Sequence, residues 1–252
     1  MKIIFIEPRS SEANVYSKIP MPLLGPIYLG TILRNAGHEV EIYNEDIYKP
    51  DYSKLSADLV GISLLTSTAN RGYEIAKFFP REKVILGGVH ASLVPEEAIQ
   101  YARQVVVGEA EEVILDIVNG KLTDKIVQGR PIVNLDSLPN PDFNLIKGFD
   151  TKRVIAPVST SRGCPHDCSF CSVTKMFGRQ YRFRSAKNII SELKERQTKQ
   201  IFFCDDNFSA NVKRTYELLR LMLENKIKDW ACQVRCEVAK DAKLLSLMAE
   251  AG

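Results

Sequence analysis

The chain has 252 residues, 45% of them hydrophobic and 26% charged, which suits one or two folded domains and excludes a disordered polymer. The net charge of +3 hides an asymmetry: residues 1–150 carry 15 Lys/Arg against 20 Asp/Glu, and residues 151–252 carry 19 against 11. No apolar run reaches the roughly 18 residues of a membrane-spanning helix, and the one in MKIIFIEPRS is too short for a signal peptide. A soluble, cytoplasmic protein is expected.

The first half alternates strand and helix. Lys2–Glu7 reads as a strand, and LLGPIYLGTILRNAG as a helix with Leu29, Ile32 and Leu33 on one face and Gly37 as its stop. Then follow strand EVEIYN, strand DLVGIS, helix RGYEIAKFF, strand KVILGG, helix PEEAIQYA, strand QVVVG and helix AEEVILDIV. The strands are nearly continuous apolar runs, as in a parallel sheet covered on both faces. Pro131, Pro139 and Pro141, around LPNPDF, break this rhythm, so residues 121–152 read as a linker after a domain of residues 1–120.

A second alternating series occupies residues 153–252. Strand VIAPVST leads into a cysteine loop, followed by helix SAKNIISELKERQ from near Ser185 and strand KQIFFCDD. Helix NVKRTYELLRLML comes next, with Val212, Tyr216, Leu219 and Leu223 on one stripe. Strand WACQVRCE and helix DAKLLSLMAEAG, capped by Asp241, complete the series. Three strand–helix units leave an open edge where a barrel would continue, so the chain is expected to be the front part of a longer protein.

All six cysteines lie after residue 163, a clustering that favours metal or redox chemistry over a disulfide framework. Cys204, Cys232 and Cys236 fall in or beside predicted strands and read as small buried thiols. Cys164, Cys168 and Cys171 lie in SRGCPHDCSFCSV. A structural zinc site needs four ligands, commonly in two knuckles, and the second knuckle is missing; His166 lies within the same tight loop. A two-cluster ferredoxin needs more cysteines. A [4Fe–4S] cluster held by three thiolates, with one iron open, remains alongside these.

SRGCPHDCSFCSVTKMFGRQYRFRS resembles the cluster loop of radical S-adenosylmethionine (SAM) enzymes, in the cysteine spacing, in Phe170 before the third cysteine and in its place after a first barrel strand. The resemblance implies that the open iron binds SAM and that reductive cleavage yields a 5′-deoxyadenosyl radical. It also implies that Phe170, Asp205 and Asp206 lie near SAM, the two carboxylates ending the second barrel strand in CDDNFS. From the residues alone, one of those aspartates could instead cap the helix near Asn211 or form a turn with Asn207. Arg235 and Glu237 close the third strand, as a structural ion pair or as a cofactor or substrate contact. Lys175, Arg179, Arg182 and Arg184 interleave with Phe177, Tyr181 and Phe183, a pattern open to nucleic acid, though non-RNA relatives share it.

The first half has no GxGxxG and no GxxxxGK[ST]. Ligands of open parallel sheets bind beyond the strands' carboxyl ends, here PRSSEANV, SLLTSTAN, GGVHAS and GEAEE. The set Ser63, Leu65, Thr66, Gly87, Gly88, His90, Gly108 and Glu109 resembles the cobalamin-binding domain that often precedes a radical SAM barrel. The Asp-x-His-x-x-Gly motif that ligates cobalt in methionine synthase-type domains is absent. Of the three histidines, His38 starts strand two at the wrong end, His166 lies in the cluster loop, and His90 reads as a polar lining residue on the loop after strand four. Bound cobalamin is therefore expected to have its own base displaced, with no histidine in its place.

The fold class is therefore α/β, a doubly wound, Rossmann-like parallel sheet of cobalamin-binding type followed by the first three strand–helix units of a radical SAM TIM-type barrel. The resemblance implies a [4Fe–4S] cluster, SAM and cobalamin as cofactors, and methyl transfer to an unactivated carbon of a small-molecule or lipid substrate. Reduced flavodoxin or ferredoxin is the implied electron donor, and nucleic acid is not an expected partner. Alternatives are an RNA methylthiotransferase, disfavoured because residues 1–150 contain no cysteine, and a non-catalytic iron–sulfur fragment. No side chain is singled out as acid, base or nucleophile.

Overall fold

The computed structural model describes residues 1–10, 21–150, 154–196 and 200–252. The chain forms two compact units, Met1–Ile132 with Pro139–Phe149, and Val133–Leu138 with Asp150–Gly252. The PRSSEANV segment runs outside the described residues, as do Gln197 and Lys199 at the ends of a predicted helix and strand.

The first unit is built on β1 (Lys2–Glu7), α1 (Leu24–Asn35), β2 (Glu39–Asn44), β3 (Leu59–Ser63), α2 (Ala69–Ala76) and β4 (Val84–Gly87). It continues with α3 (Val89–Leu93), α4 (Pro95–Ala98), β5 (Gln104–Val107), α5 (Ile114–Val118) and β6 (Ile126–Gln128). The strands form one parallel sheet in the order β2-β1-β3-β4-β5-β6. The alternating side chains of a strand serve both faces. Ile4, Ile6, Val60, Ile62, Leu86 and Val105 fill one layer, and Ile3, Phe5, Ile42, Leu59, Ile85 and Val106 the other. This is why the strands read as unbroken apolar runs. Strand order reverses beside β1, which puts a switch point between β1 and β3.

Residues 121–152 are not a linker throughout. β6 pairs with β5, and Leu145 and Ile146 are buried against Ile42, with an Ile42–Ile146 bridge extending the pairing beyond β2. The prolines interrupt the helical and strand periodicity but leave these apolar residues free to pack. Only Val133–Leu138 and the stretch from Asp150 go with the second unit.

The second unit contains β7 (Ala156–Val158), β8 (Ser161–Arg162), α6 (Val173–Phe177), β9 (Arg182–Phe183) and α7 (Ala186–Glu195). It ends with β10 (Ile201–Phe203), α8 (Val212–Glu224), β11 (Trp230–Cys232) and α9 (Ala242–Glu250). β7, β10 and β11 form a parallel sheet in the order β11-β10-β7. Ser185, Asn211 and Asp241 cap α7, α8 and α9 by accepting from the N–H of Asn188, Arg214 and Leu244. The core joins Val158, Phe203 and Phe208 to Ile189, Leu193, Leu218, Leu219 and Met222. The predicted stripe on α8 is rotated: Thr215, Leu218, Leu219 and Met222 are buried, while Val212 at the first turn is exposed.

Candidate functional site

The cysteine loop leaves the sheet just beyond β7 and is closed at its base by an antiparallel pair, β8 with β9. Arg184 N–H extends this clamp to Thr160 C=O at 2.9 Å. Gly163 enters the loop at φ +81, and a Cβ there would lie 2.2 Å from the Gln180 carbonyl oxygen. Only glycine allows that close approach in the left-handed region. Inside the loop, Cys171 N–H donates to Cys168 C=O at 3.0 Å, and Asp167 pairs with Arg179. Cys164, Cys168 and Cys171 are all free thiols and only partly buried. Phe170 projects outward, 91% exposed.

Three thiols in one tight loop, with no second knuckle, suit a cubane cluster with one open iron better than a closed zinc cage. Among the described residues no three Cys, His, Asp or Glu side chains surround a point where a single metal ion would sit. A cubane takes each thiolate at a different iron and so holds its ligands wider apart.

The strand end feeding the loop is held by buried charge. Asp205, 1% exposed, accepts from the N–H groups of Thr160 at 2.7 Å and Ser161 at 2.8 Å, and from the Thr160 hydroxyl. Burial pushes its carboxyl up, and these donors pull it back down. It caps no helix and makes no turn with Asn207; it ties the end of β10 to the end of β7. Asp206 is exposed, and its carboxylate lies near the Gly163 N–H at the start of the cysteine loop. Arg214 donates to the Thr160 and Arg184 carbonyls at 2.9 and 3.2 Å. Arg184 donates to Ser159 C=O at 3.1 Å and pairs with Glu192, which also pairs with Arg196.

The basic run therefore splits: Arg184 is a buried structural cation and Arg179 is paired within the loop. The sequence reading missed Arg214, Glu192 and Thr160. Their signal was weak, a Ser-Thr-Ser ahead of the loop and a charged residue on each of two helix faces otherwise apolar.

Beyond β11, Arg235 grips Glu237 through Nε at 3.1 Å and Nη2 at 2.6 Å, and its Nη1 lies 3.5 Å from Cys168 Sγ. Burial pushes the thiols of Cys204 and Cys232 up to about 12, which keeps them protonated. Cys236 departs from the expected buried thiol. It lies in a turn after β11, is exposed, and sits 3.7 Å from a Glu237 oxygen.

In the first unit, Ser63 and Gly87 pair in register at the carboxyl ends of β3 and β4. Gly88, at φ +93, presses on the next loop; a Cβ would lie 2.7 Å from Leu64 O and 2.8 Å from Leu64 N. Leu65 is partly buried beside Thr68, and Thr66 is exposed. Gly108 has open space where a Cβ would be, and its N–H donates to Ser92 Oγ at 2.9 Å. Glu109 is buried and accepts from Ile132 N–H at 3.3 Å, so its carboxylate holds the chain after β6. His90 lies on α3 rather than a loop. Its Nδ1 is 3.3 Å from Thr66 Oγ1 and its Nε2 3.3 Å from Glu97 Oε1, an oxygen that Tyr73 OH also reaches at 2.9 Å. With both ring nitrogens engaged, His90 is a poor cobalt ligand. The open backbone at Gly87 and Gly108, with small polar neighbours, fits a large flat ligand above β3, β4 and β5.

Residues 16–118 match the B12 binding domain and residues 158–252 the radical SAM superfamily. The chain is 30% identical to an uncharacterized methyltransferase of Pyrococcus horikoshii, over 100% of this chain and 63% of that protein. It is 31% identical to bacteriochlorophyllide d C-8(2)-methyltransferase of Chlorobaculum tepidum, over 77% of this chain and 48% of the relative. The chain thus spans about half to two thirds of the length of these relatives. The fold matches the radical SAM methyltransferase TsrM of Kitasatospora setae, solved with cobalamin and a [4Fe–4S] cluster, with TM-score 0.73 and 18% identity over 100% of this chain and 59% of that one. No described helix is long and apolar enough to cross a membrane. With residues 16–118 matching the B12 binding domain and residues 158–252 the radical SAM superfamily, the chain belongs to the radical SAM proteins that carry a cobalamin-binding domain.

Proposed function

We propose that this chain is the cofactor-binding part of a cobalamin-dependent radical SAM methyltransferase acting on an unactivated carbon of a small-molecule or lipid substrate. The observation that carries the reading is the clamped loop of Cys164, Cys168 and Cys171 at the end of the first barrel strand. When bound, the cluster supplies the electron that cleaves SAM, and cobalamin carries the methyl group. Cys164, Cys168 and Cys171 hold the cluster and leave one iron open. Gly163 and the β8–β9 pair fix the loop's entry and exit. Asp205, Arg214 and Arg184 anchor the backbone beneath it, and Asp206 lies against the loop at the carboxyl end of β10, where barrel chemistry takes place. Phe170, exposed on the loop, is available to pack against SAM. In the first unit, Ser63, Leu65, Thr66, Gly87, Gly88, His90 and Gly108 offer the cobalamin surface, with Glu109 positioning the backbone behind it and no histidine on cobalt.

Six free thiols suit a reducing compartment, so we read the protein as cytoplasmic, with reduced flavodoxin or ferredoxin as electron donor and no nucleic-acid partner. The test is anaerobic reconstitution of the chain with iron and sulfide, followed by SAM and dithionite. Formation of 5′-deoxyadenosine by the wild type, lost in Cys164→Ala, supports the reading. A chain that assembles no cluster refutes it. Stoichiometric uptake of hydroxocobalamin tests the first unit separately.

A further inference from the structure

We propose that Arg235 is a redox-tuning residue: its guanidinium, oriented by Glu237, donates an N–H···S hydrogen bond to the Cys168 thiolate and makes the cluster easier to reduce. This rests on the cluster reading above, but it concerns a residue that the cysteine motif does not contain. The geometry is specific. Glu237 takes Nε and Nη2 of Arg235 at 3.1 and 2.6 Å, and this two-point grip turns the remaining Nη1 toward Cys168 Sγ at 3.5 Å. A planar guanidinium held by two hydrogen bonds along one edge cannot turn within its plane, so the carboxylate sets the direction of the remaining N–H.

The chain around the pair supports that role. Arg235 follows β11, whose neighbour β10 lies beside β7, the strand that leads into the cysteine loop. The contact therefore joins the third strand's end to a loop leaving the first, 67 residues away in sequence. Three other arginines near the loop are committed elsewhere: Arg179 to Asp167, Arg184 to Glu192, and Arg214 to backbone carbonyls.

The electrostatics give the sign. Reduction adds one electron to a cluster already made anionic by three thiolates. A nearby cation and a hydrogen bond to ligand sulfur both favour the more negative state, and so raise the potential. Glu237 works in the opposite sense by partly neutralising the guanidinium, while keeping it aimed. Arg235 does not touch the reacting atoms in this account; it acts through Cys168.

The test is an EPR-monitored redox titration of the reconstituted cluster, with iron and sulfide content measured for each variant. Arg235→Ala should be about tenfold less reduced at a fixed potential, a midpoint lowered by about 59 mV for a one-electron couple. Arg235→Lys, which keeps the charge but loses the fork, should fall between. Glu237→Gln, which removes the opposing charge, should shift the midpoint upward by about threefold in the reduction equilibrium. A wild-type chain without a reducible cluster would refute the underlying reading. Wild-type midpoints in Arg235→Lys and Glu237→Gln, at full iron content, would overturn the tuning role alone. If Arg235→Ala loads no cluster, those two variants still decide the matter.

Discussion

Two strand ends in this molecule are built by opposite means. Above β3, β4 and β5 the first unit presents backbone: Ser63 beside Gly87, with Gly108 open, over a sheet whose two layers are apolar. Above β7 and β10 the second unit presents a loop whose foundation is buried charge, with Asp205, Arg214, Arg184 and Glu192 all nearly inaccessible. The difference suits the two proposed ligands. A broad flat ligand needs clearance and a rigid floor, which an apolar sheet supplies. A cysteine loop has little apolar content of its own, so its backbone must be fixed by directed hydrogen bonds, which charged groups in a desolvated site make strongly.

The comparison can be broken most severely at Glu192. Replacing it with alanine leaves Arg184 and Arg196 buried without their carboxylate, which should cost about 3–5 kcal/mol. Trp230, the only tryptophan, packs on Phe203 and Phe208 in the second core, so its fluorescence during urea unfolding reports that unit alone. Asp205→Ala should follow at about 3 kcal/mol, because two buried N–H groups and a hydroxyl lose their acceptor. Cluster content after reconstitution should fall with it, whereas a purely local effect would leave iron binding at the wild-type level.

Among the buried acids of the first unit, Glu7 stands at the carboxyl end of β1 beside the switch point. It accepts from Asn44 at 2.7 Å and from Leu23 N–H at 2.9 Å, while Oε1 has no partner among the described residues. Burial raises its pKa from 4.5 to about 7. The folded state then holds a proton that the unfolded chain has lost. Stability is fully present below about pH 4.5 and declines as pH rises through about 7, by at most about 3 kcal/mol. Glu7→Gln should flatten this slope and leave the first unit more stable than wild type at pH 8, as read by hydrogen exchange of β1 and β3. An unchanged slope would remove Glu7 as its source. The smallest expected effect is Gly88→Ala, about 2 kcal/mol from the left-handed backbone and the Leu64 contact, with weaker cobalamin uptake and no change in Trp230 unfolding.

Much of this was legible along the chain because it is local. Periodicity located fifteen of the helices and strands that build the two units, Ser185 and Asp241 announced their helix starts, and Cys164, Cys168 and Cys171 carried their own spacing. β8 and β9 were not legible, since two residues each are too short for any period and exist only because Thr160 and Arg184 meet. Arg184 looked like one of a basic surface run, and only packing distinguishes a buried arginine from a solvated one. Leu145 and Ile146 were hidden by the prolines around them, although they complete the core beside Ile42.

The residues alone determined the order of most elements, the spacing of the three cysteines and the small-residue ends of the first sheet, because each depends on neighbours within a few positions. Tertiary structure decided which carboxylate holds the loop and which lies against its entry, that both nitrogens of His90 are engaged, and that Arg235 reaches Cys168. Those outcomes turn on distances between residues far apart in the chain. A hydrogen bond is lost within about an ångström of its best distance and an ion pair weakens as its charges separate, so only the folded arrangement can say which pairs form.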